Sequence, residues 1–209
     1  MIVGPTFFSS PAAGGPLTFV ASNIDNDDTG VDIPAHQAGD LIIAIGRNKF
    51  DFPSAAPTAP TGFTEILQAT PAFGFATSVH WAIDTGNTLT TIDNAVNYTW
   101  LVLVYRNASG IGDAQVRDLD DVGTTATFPT LTLADPGNSV AIAILATNQG
   151  YASSDPSGMT RREDNVSPNF GGGEFTAWDE FFPATFTGKT AAWSPAACWV
   201  TYSLEILPL

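Results

Sequence analysis

The chain has 209 residues, of which 44% are hydrophobic and 11% aromatic, and seven basic against 21 acidic side chains give a formal net charge of −14. This apolar content can build a sizeable core, which excludes a disordered chain. The scarcity of lysine and arginine argues against a nucleic-acid groove or an anionic membrane surface, because both bind through clustered positive charge. A single cysteine can form neither an internal disulfide nor a cysteine zinc cluster.

The beginning of the chain differs in composition from the rest. Residues 1–15 are rich in proline, glycine and serine, and we expect an extended N-terminal arm without a core of its own. The apolar stretch 1–21 is broken by proline and glycine and is not preceded by a basic residue, so we expect no signal peptide. No run of about 18 apolar residues occurs, so the sequence predicts no membrane-spanning helix. Residues 16–209 are expected to form a single domain.

Short apolar runs separated by turn residues predict strands along residues 16–209. The clearest runs are residues 41–45, 78–83, 100–105, 140–145 and 198–206. The second and the last alternate between apolar and polar residues, the period of two that is typical of a strand. The other three are apolar on both faces, so we expect one face in the core and the other covered by a long loop or a neighbouring subunit. The first run is ended by Gly46, and at most one helical turn fits, near residues 108–111.

Turn residues cluster between these runs, at residues 23–30, 54–62, 84–87, 134–138 and 153–158. In the fourth cluster, Pro136 and Gly137 occupy the two central positions that a type II turn favours. No apolar stripe with a helical period is sustained. About ten strands in one domain predict an all-β fold, a two-sheet antiparallel β-sandwich or jelly roll.

Two acidic segments are candidates for ion binding. The loop around Asp25–Asp28 resembles the start of a calcium loop, since hard cations bind several oxygens at once. Counted from Asn23, however, the EF-hand positions for glycine and for the bidentate glutamate hold Asp28 and Pro34. We therefore interpret this loop as a solvated turn, with ion binding left open, and the charged residues 117–121 as a strand edge.

The histidines and the cysteine do not form a recognisable catalytic or metal motif. His36 and His80 are the only histidines, and neither lies in an H-x-H, H-E-x-x-H or H-x-E pattern. His80 falls on the polar side of a predicted strand, where solvent or a hydrogen bond accounts for it, and His36 falls in a loop. Cys198 lies on the predicted inward face of the last strand, where a thiol acts as a small hydrophobe.

Nucleophile and nucleotide motifs are also missing. There is no G-x-S-x-G, Gly110–Gly112 lacks the third glycine of a dinucleotide fingerprint, and Gly171–Gly173 is not followed by lysine. Five glutamates could supply a carboxylate pair for glycoside hydrolysis if they met in space. They are Glu65, Glu163, Glu174, Glu180 and Glu205. Without a motif to support them, we predict no catalytic, cofactor-binding or metal-binding residue and no enzymatic activity.

The aromatic residues allow two interpretations. Trp81 and Trp100 lie in apolar strands and are predicted to belong to the core. A later cluster comprises Trp178, Phe181, Phe182, Phe186 and Trp193. If exposed, these rings could stack on sugars or anchor a protein partner. The alternative is that they cap one end of the sandwich.

Seven short segments, taken in order, carry a resemblance to a known group of proteins. They are IPAHQAGDLII at residues 33–43, PTAPTGF at 57–63, HWA at 80–82, LVYR at 103–106, FPTLTL at 128–133, PSGMT at 156–160 and SLEIL at 203–207. Over about residues 17–207 the chain resembles virion-associated β-sandwich proteins of tailed bacteriophages, especially marine and cyanobacterial phages. Phe63 stands where that pattern favours tryptophan, and Asn107 and Ala108 stand where glycine and valine are commoner. The segments are turns and strand starts, so they indicate a fold and an association with the virion more than an activity.

The resemblance implies a non-enzymatic structural protein of the virion, assembled in the host cytoplasm. Its expected role is a capsid decoration (cement) protein, a small cyclic homo-oligomer on the outer shell with other virion proteins as partners. The N-terminal arm would add a strand or an extended contact to a neighbour. The alternative is a tail or fibre component that binds host-surface glycans. Neither role implies a cofactor, nucleic acid or membrane, and the negative charge suits a soluble surface that avoids DNA.

Overall fold

The computed structural model describes residues 15–24, 30–48, 55–70, 75–93, 98–148, 152–165 and 175–209. Within these ranges the backbone forms strands and turns and no helix, which confirms the all-β prediction. The predicted arm lies outside the described residues except for Gly15.

Twelve strands follow one another in the described part of the chain. They are β1 (Thr18–Ile24), β2 (Val31–Asp32), β3 (Leu41–Asn48), β4 (Thr64–Ala69), β5 (Thr77–Ile83), β6 (Thr91–Ile92), β7 (Tyr98–Arg106), β8 (Ala108–Thr127), β9 (Val140–Thr147), β10 (Thr160–Asn165), β11 (Phe175–Phe181) and β12 (Thr190–Pro208).

Two five-stranded sheets pack face to face. Sheet I has the order β1-β7-β3-β5-β4, and sheet II has the order β10-β11-β9-β12-β8. Every neighbouring pair in both sheets is antiparallel, and β2 pairs with β6 as a separate two-stranded ribbon. Each sheet therefore comes from one half of the chain, and the predicted two-sheet antiparallel β-sandwich is confirmed.

The five predicted apolar runs all lie within observed strands. Gly46 ends the first apolar run but not strand β3, since it pairs with Ser78 and Trp100 within sheet I. A Cβ atom at Gly46 would lie 2.7 Å from the Trp100 ring, so glycine here allows close packing and does not stop the strand. Residues 108–111, where the sequence allowed at most one helical turn, form the start of β8, because they pair with the end of β12.

The main core lies between the sheets. Alternate residues of the central strands face it, among them Ile43 from β3, Leu103 from β7 and Ile142 from β9. The predicted inward face of the last strand is confirmed, since all five of its residues belong to this core. They are Cys198, Val200, Tyr202, Leu204 and Ile206. Burial of these side chains is the main stabilising contribution to the fold.

The outer face of each sheet is covered by the chain itself. On sheet I, Ile42 and Val102 pack against Val31 and Ile92 of the β2–β6 ribbon. On sheet II, a second apolar cluster joins the strands to the loops beside them, and its largest members are Phe128, Trp178, Phe186, Trp193 and Trp199. Within the described residues, the β2–β6 ribbon therefore covers the outer face of sheet I, and loops cover that of sheet II.

Three tight turns share one geometry. The N–H groups of Phe63, Asn138 and Met159 donate to the carbonyl oxygen three residues earlier, at 3.0, 3.2 and 3.1 Å. The third residue of each turn is glycine, and at Gly137 the predicted type II turn is confirmed by a φ of 86°. The first turn brings Phe63 against the outer apolar cluster of sheet I.

Asn107 makes the crossing from sheet I to sheet II. Its φ of 61° lies in the left-handed region, which glycine adopts freely and asparagine tolerates better than most residues. Its Nδ2 donates to the Pro16 carbonyl at 2.8 Å, and its own carbonyl accepts the Leu209 N–H at 2.9 Å. Asparagine therefore meets this backbone requirement, and it also ties Pro16 and Leu209 together.

Candidate functional site

The buried polar residues of the described chain form separate clusters, and the first lies at one end of sheet I. His36 Nε2 lies 2.9 Å from Asp84 Oδ2, and His36 Nδ1 lies 2.7 Å from the Pro34 carbonyl oxygen. The carbonyl and the carboxylate both accept, so the imidazole donates from both nitrogens in its charged form. The His36 side chain is 5% exposed.

The pKa values of this pair shift in opposite directions. Burial lowers the pKa of His36, but the hydrogen bonds to Pro34 and Asp84 outweigh it, and the net pKa is raised. Burial likewise opposes ionisation of Asp84, but N–H donors from Leu89 and Gly86 together with His36 hold its pKa well below the usual range. Both shifts therefore favour the charged form of the group concerned. Because each His36 nitrogen already has a fixed partner, the imidazole cannot accept a proton from a substrate.

A second ion pair lies beside the first. Arg106 donates to both carboxylate oxygens of Asp40 at 2.9 and 2.8 Å, and the Gln37 N–H donates to Asp40 at 2.9 Å. Asp40 is 1% exposed and directly precedes β3. Asp40 therefore accepts a local backbone N–H group, and its carboxylate fixes the loop that carries His36 to the end of β7.

His80 lies on the outward side of β5 as predicted, but it is completely buried. Its Nε2 lies 2.8 Å from Ser78 Oγ, and Ser78 Oγ donates to the Pro57 carbonyl at 2.8 Å. The hydroxyl hydrogen is thus in use, which makes His80 Nε2 the donor, and within the described structure Nδ1 has no hydrogen-bond partner. Burial lowers the pKa of His80 to about 4 even though the Pro57 carbonyl opposes this, so the imidazole is neutral.

A third cluster joins the two sheets where the edge strands β1 and β10 meet. Arg162 Nε and Tyr105 Oη both donate to Asp179 Oδ2, at 2.8 and 3.1 Å. The Arg162 guanidinium lies over the rings of Phe19 and Phe181, at 4.6 and 5.6 Å from their centroids. Burial raises the pKa values of Asp179 and Tyr105, whose side chains solvent does not reach. This cluster connects the sheets and does not open onto a cleft.

Within the part of the chain that the structure describes, the glutamates do not form a catalytic pair. Register places Glu180 and Glu205 on either side of Ala141, about 10 Å apart across two strand spacings. Glu205 is fully buried and accepts N–H groups from Ala134, Asp135 and Asp113 at 2.9, 3.1 and 3.2 Å. Burial raises its pKa, but these donors outweigh burial and the net pKa is lowered, so Glu205 cannot act as a general acid.

The remaining glutamates have other surroundings. Glu180 pairs with Lys189 at 2.7 Å, Glu163 lies on β10, and Glu65 is exposed on β4 in the other sheet. Asp25–Asp28, Gly171–Gly173 and Glu174 lie outside the described residues, as do the side chains of residues 118–121. In the part of the chain that is described, no three His, Cys, Asp or Glu residues come together as a metal site.

The late aromatic cluster is largely internal, which favours the second of its two interpretations. Trp178, Phe186 and Trp193 are at most 5% exposed and belong to the outer core of sheet II. Trp178 Nε1 donates to Asp155 at 2.8 Å, and the Arg161 guanidinium covers its ring at 5.6 Å. Phe182 differs, since it is 47% exposed.

One open cleft lies on the outer face of sheet I, and the sequence did not indicate it. Its volume is about 220 Å³. Tyr98 and Trp100 line it from β7, the Thr58–Thr61 turn forms one wall, and residues 91–93 form the other. Trp100 is buried as predicted, whereas Tyr98 is half-buried and packs edge-on against it, with ring centroids 6.5 Å apart. The sequence feature that could have indicated this cleft is the placement of two aromatic residues, Tyr98 and Trp100, on one face of a strand.

Comparisons with known proteins do not identify the chain. No family model, curated protein or solved structure matches it. Among the described residues, no helix is long and apolar enough to cross a membrane. The fold and its buried clusters thus define an all-β sandwich in which ionisable side chains hold loops and sheets together.

Proposed function

We propose that this protein is a non-enzymatic structural protein of a bacteriophage virion, positioned on the outer surface as a capsid decoration protein. The observation that carries the proposal is the use of its buried charged groups. The described His36–Asp84, Arg106–Asp40 and Arg162–Asp179 pairs are each held by fixed protein partners. Such pairs position loops and strands, which is what a rigid assembly component requires. The seven sequence segments that resemble phage virion proteins support a place in the virion.

The charge of the molecule also supports a surface position. A net charge of −14 repels the nucleic acid packaged inside a shell and keeps the protein soluble before assembly. Copies attached at many sites on a symmetric shell gain stability from multivalent contacts, so each contact can be modest. We propose that the protein is a homo-oligomer and that its partners are the major capsid protein or tail proteins.

Phe182 is the best candidate for an attachment point among the described residues. It is exposed, and its φ of 59° places a bulky residue in the left-handed region. Its N–H donates to the Ser139 carbonyl at 2.9 Å, and the next carbonyl, of Pro183, accepts the Gly137 N–H at 2.9 Å. The structure thus holds an aromatic ring in solvent at a conformational cost, an arrangement that supports a contact role.

The alternative, a tail or fibre protein that binds glycans through Trp178 and Trp193, loses the residues on which it was based. Both indoles are buried, so neither ring is available for stacking on a sugar. Glycan binding through the late aromatic cluster is therefore not the function that this geometry supports best.

The number of copies per particle tests the proposal. Quantitative mass spectrometry of purified virions, referenced to the major capsid protein, should give hundreds of copies of a decoration protein. A few copies or a few dozen would indicate a tail position, and absence from the particle would refute a virion role. In a second experiment, deletion of residues 1–15 should reduce occupancy on the particle, and unchanged occupancy would refute a role of the arm in attachment.

A further inference from the structure

The cleft on sheet I has an aromatic floor and a polar rim. Trp100, 3% exposed, and the half-buried Tyr98 form the floor, and Pro60 lies in one wall. Thr58, Thr61, Thr91 and Asp93 are exposed around the opening. At about 220 Å³, the cleft is smaller than the roughly 300 Å³ at which sites for drug-sized ligands begin, so it fits a single small ring.

The hydrogen-bonding groups of the cleft suit a polyhydroxyl ligand. Three threonine hydroxyls can both donate and accept, and the Asp93 carboxylate accepts. The indole Nε1 of Trp100 is a buried donor without a hydrogen-bond partner in the described structure. A buried N–H without an acceptor is destabilising, and a ligand oxygen that reaches it would satisfy it.

The charge of the cleft limits the class of ligand. No lysine or arginine lines it, and Asp93 is its one ionisable carboxylate in the described lining. An anion would meet this carboxylate on a chain of net charge −14, which disfavours phosphate, sulfate or acidic sugars. Quaternary ammonium ions are typically held by a cage of several aromatic faces. Here Trp100 is almost fully covered and lies beside His80, at 5.8 Å between ring centroids, so only the half-buried Tyr98 ring is left.

From these observations we infer that the cleft binds one neutral pyranose ring, such as a terminal sugar of a glycan. The Tyr98 ring supplies the apolar surface on which the sugar C–H face stacks, and the threonines and Asp93 bind its hydroxyls. The inference is independent of where the protein sits in a particle, because it rests on described residues of one chain.

The test uses the full chain in solution and four probes, the methyl glycosides of glucose, galactose, mannose and N-acetylglucosamine. Saturation-transfer NMR and tryptophan fluorescence measure binding, and we expect at least one probe to bind with a dissociation constant near 1 mM, about the value for a ligand of this size. Tyr98→Ala should weaken binding at least about tenfold, as expected when stacking of about 1.4 kcal/mol is lost. Asp93→Asn should weaken it less. Glu65→Gln, at an exposed carboxylate outside the cleft, is the matched control for Asp93→Asn and should bind as the wild type does.

Each outcome decides the inference. Binding that is saturable, weakened by the two cleft variants and kept by the control supports it. Failure of all four probes to bind overturns it, as does binding that the cleft variants leave unchanged. Choline is the competing probe, and binding of choline without any glycoside would replace the sugar site with a cation site. If Tyr98→Ala does not fold, Asp93→Asn at an exposed position keeps the test decisive. Virion copy number is measured separately, so either proposal can fail alone.

Discussion

Acidification should destabilise this protein through His80. The imidazole is completely buried, donates from Nε2 to Ser78 Oγ, and has no partner at Nδ1 in the described structure. Protonation would therefore place a charge and an unsatisfied N–H in the interior. The unfolded chain exposes His80 to water, where its pKa returns to 6.5. Between that value and about 4 the unfolded state binds more protons, so stability falls as the pH falls.

The size of this effect follows from the two pKa values. The difference between 6.5 and about 4 corresponds to about 3 kcal/mol, at about 1.4 kcal/mol for each pH unit. His36 acts with the opposite sign and at higher pH. Its pKa is raised, so its contribution is fully present below 6.5 and is lost as the pH rises through the folded-state pKa. The two histidines can therefore be separated by the pH window in which each changes stability.

Urea denaturation of the wild type and of His80→Gln at pH 7 and pH 4 tests this reasoning. The glutamine Nε2 can keep the donation to Ser78 but cannot titrate. We expect the wild type to lose about 3 kcal/mol more than His80→Gln on acidification. His36→Gln is the matched control and should keep the acid-dependent loss caused by His80. Equal losses in wild type and His80→Gln would refute the buried neutral imidazole.

Three further substitutions test other contacts by urea denaturation at pH 7. Gly112→Ala puts a Cβ 2.8 Å from Glu205 Cδ and should lower the free energy of unfolding by about 1–3 kcal/mol. The loss should be smaller in a Glu205→Ala background, and equal losses in the two backgrounds would contradict this clash. Arg162→Met leaves the Asp179 carboxylate buried without its cation and should lower the free energy of unfolding by about 3 kcal/mol. The loss should be smaller at acidic pH, where Asp179 is protonated. An unchanged free energy of unfolding would contradict a stabilising role of this ion pair. Phe182→Gly should stabilise by up to about 1 kcal/mol because glycine adopts φ 59° without strain; destabilisation would show that the ring packs.

The strands and turns were predictable from the sequence because their signals are local. The period of two in residues 198–206 places every second side chain in the core, and the Pro136-Gly137 pair meets the dihedral requirement of its turn. These features depend on neighbouring residues only. The packing role of Gly46 inside β3 could not be predicted in this way, because what decides that position is the Trp100 ring on the adjacent strand.

The environments of the polar residues could not be predicted, because distant segments create them. His80 lies on the polar side of an alternating strand, yet the segment containing Pro57 covers it. Glu205 is buried because the turn after Ala134 folds over it. The cleft needs three segments, 58–61, 91–93 and the start of β7, to meet on one sheet. Alternation along a single strand does not report which loop will cover its outer face.

The central proposal is that this protein decorates the capsid of a phage, and electron cryo-microscopy of virions purified with it tests that proposal most directly. We predict density for the sandwich at symmetric positions over the outside of the shell, and restoration of that density when purified protein is added to particles lacking it. Density confined to the tail, or no uptake by particles without the protein, would contradict the assignment as a capsid decoration protein.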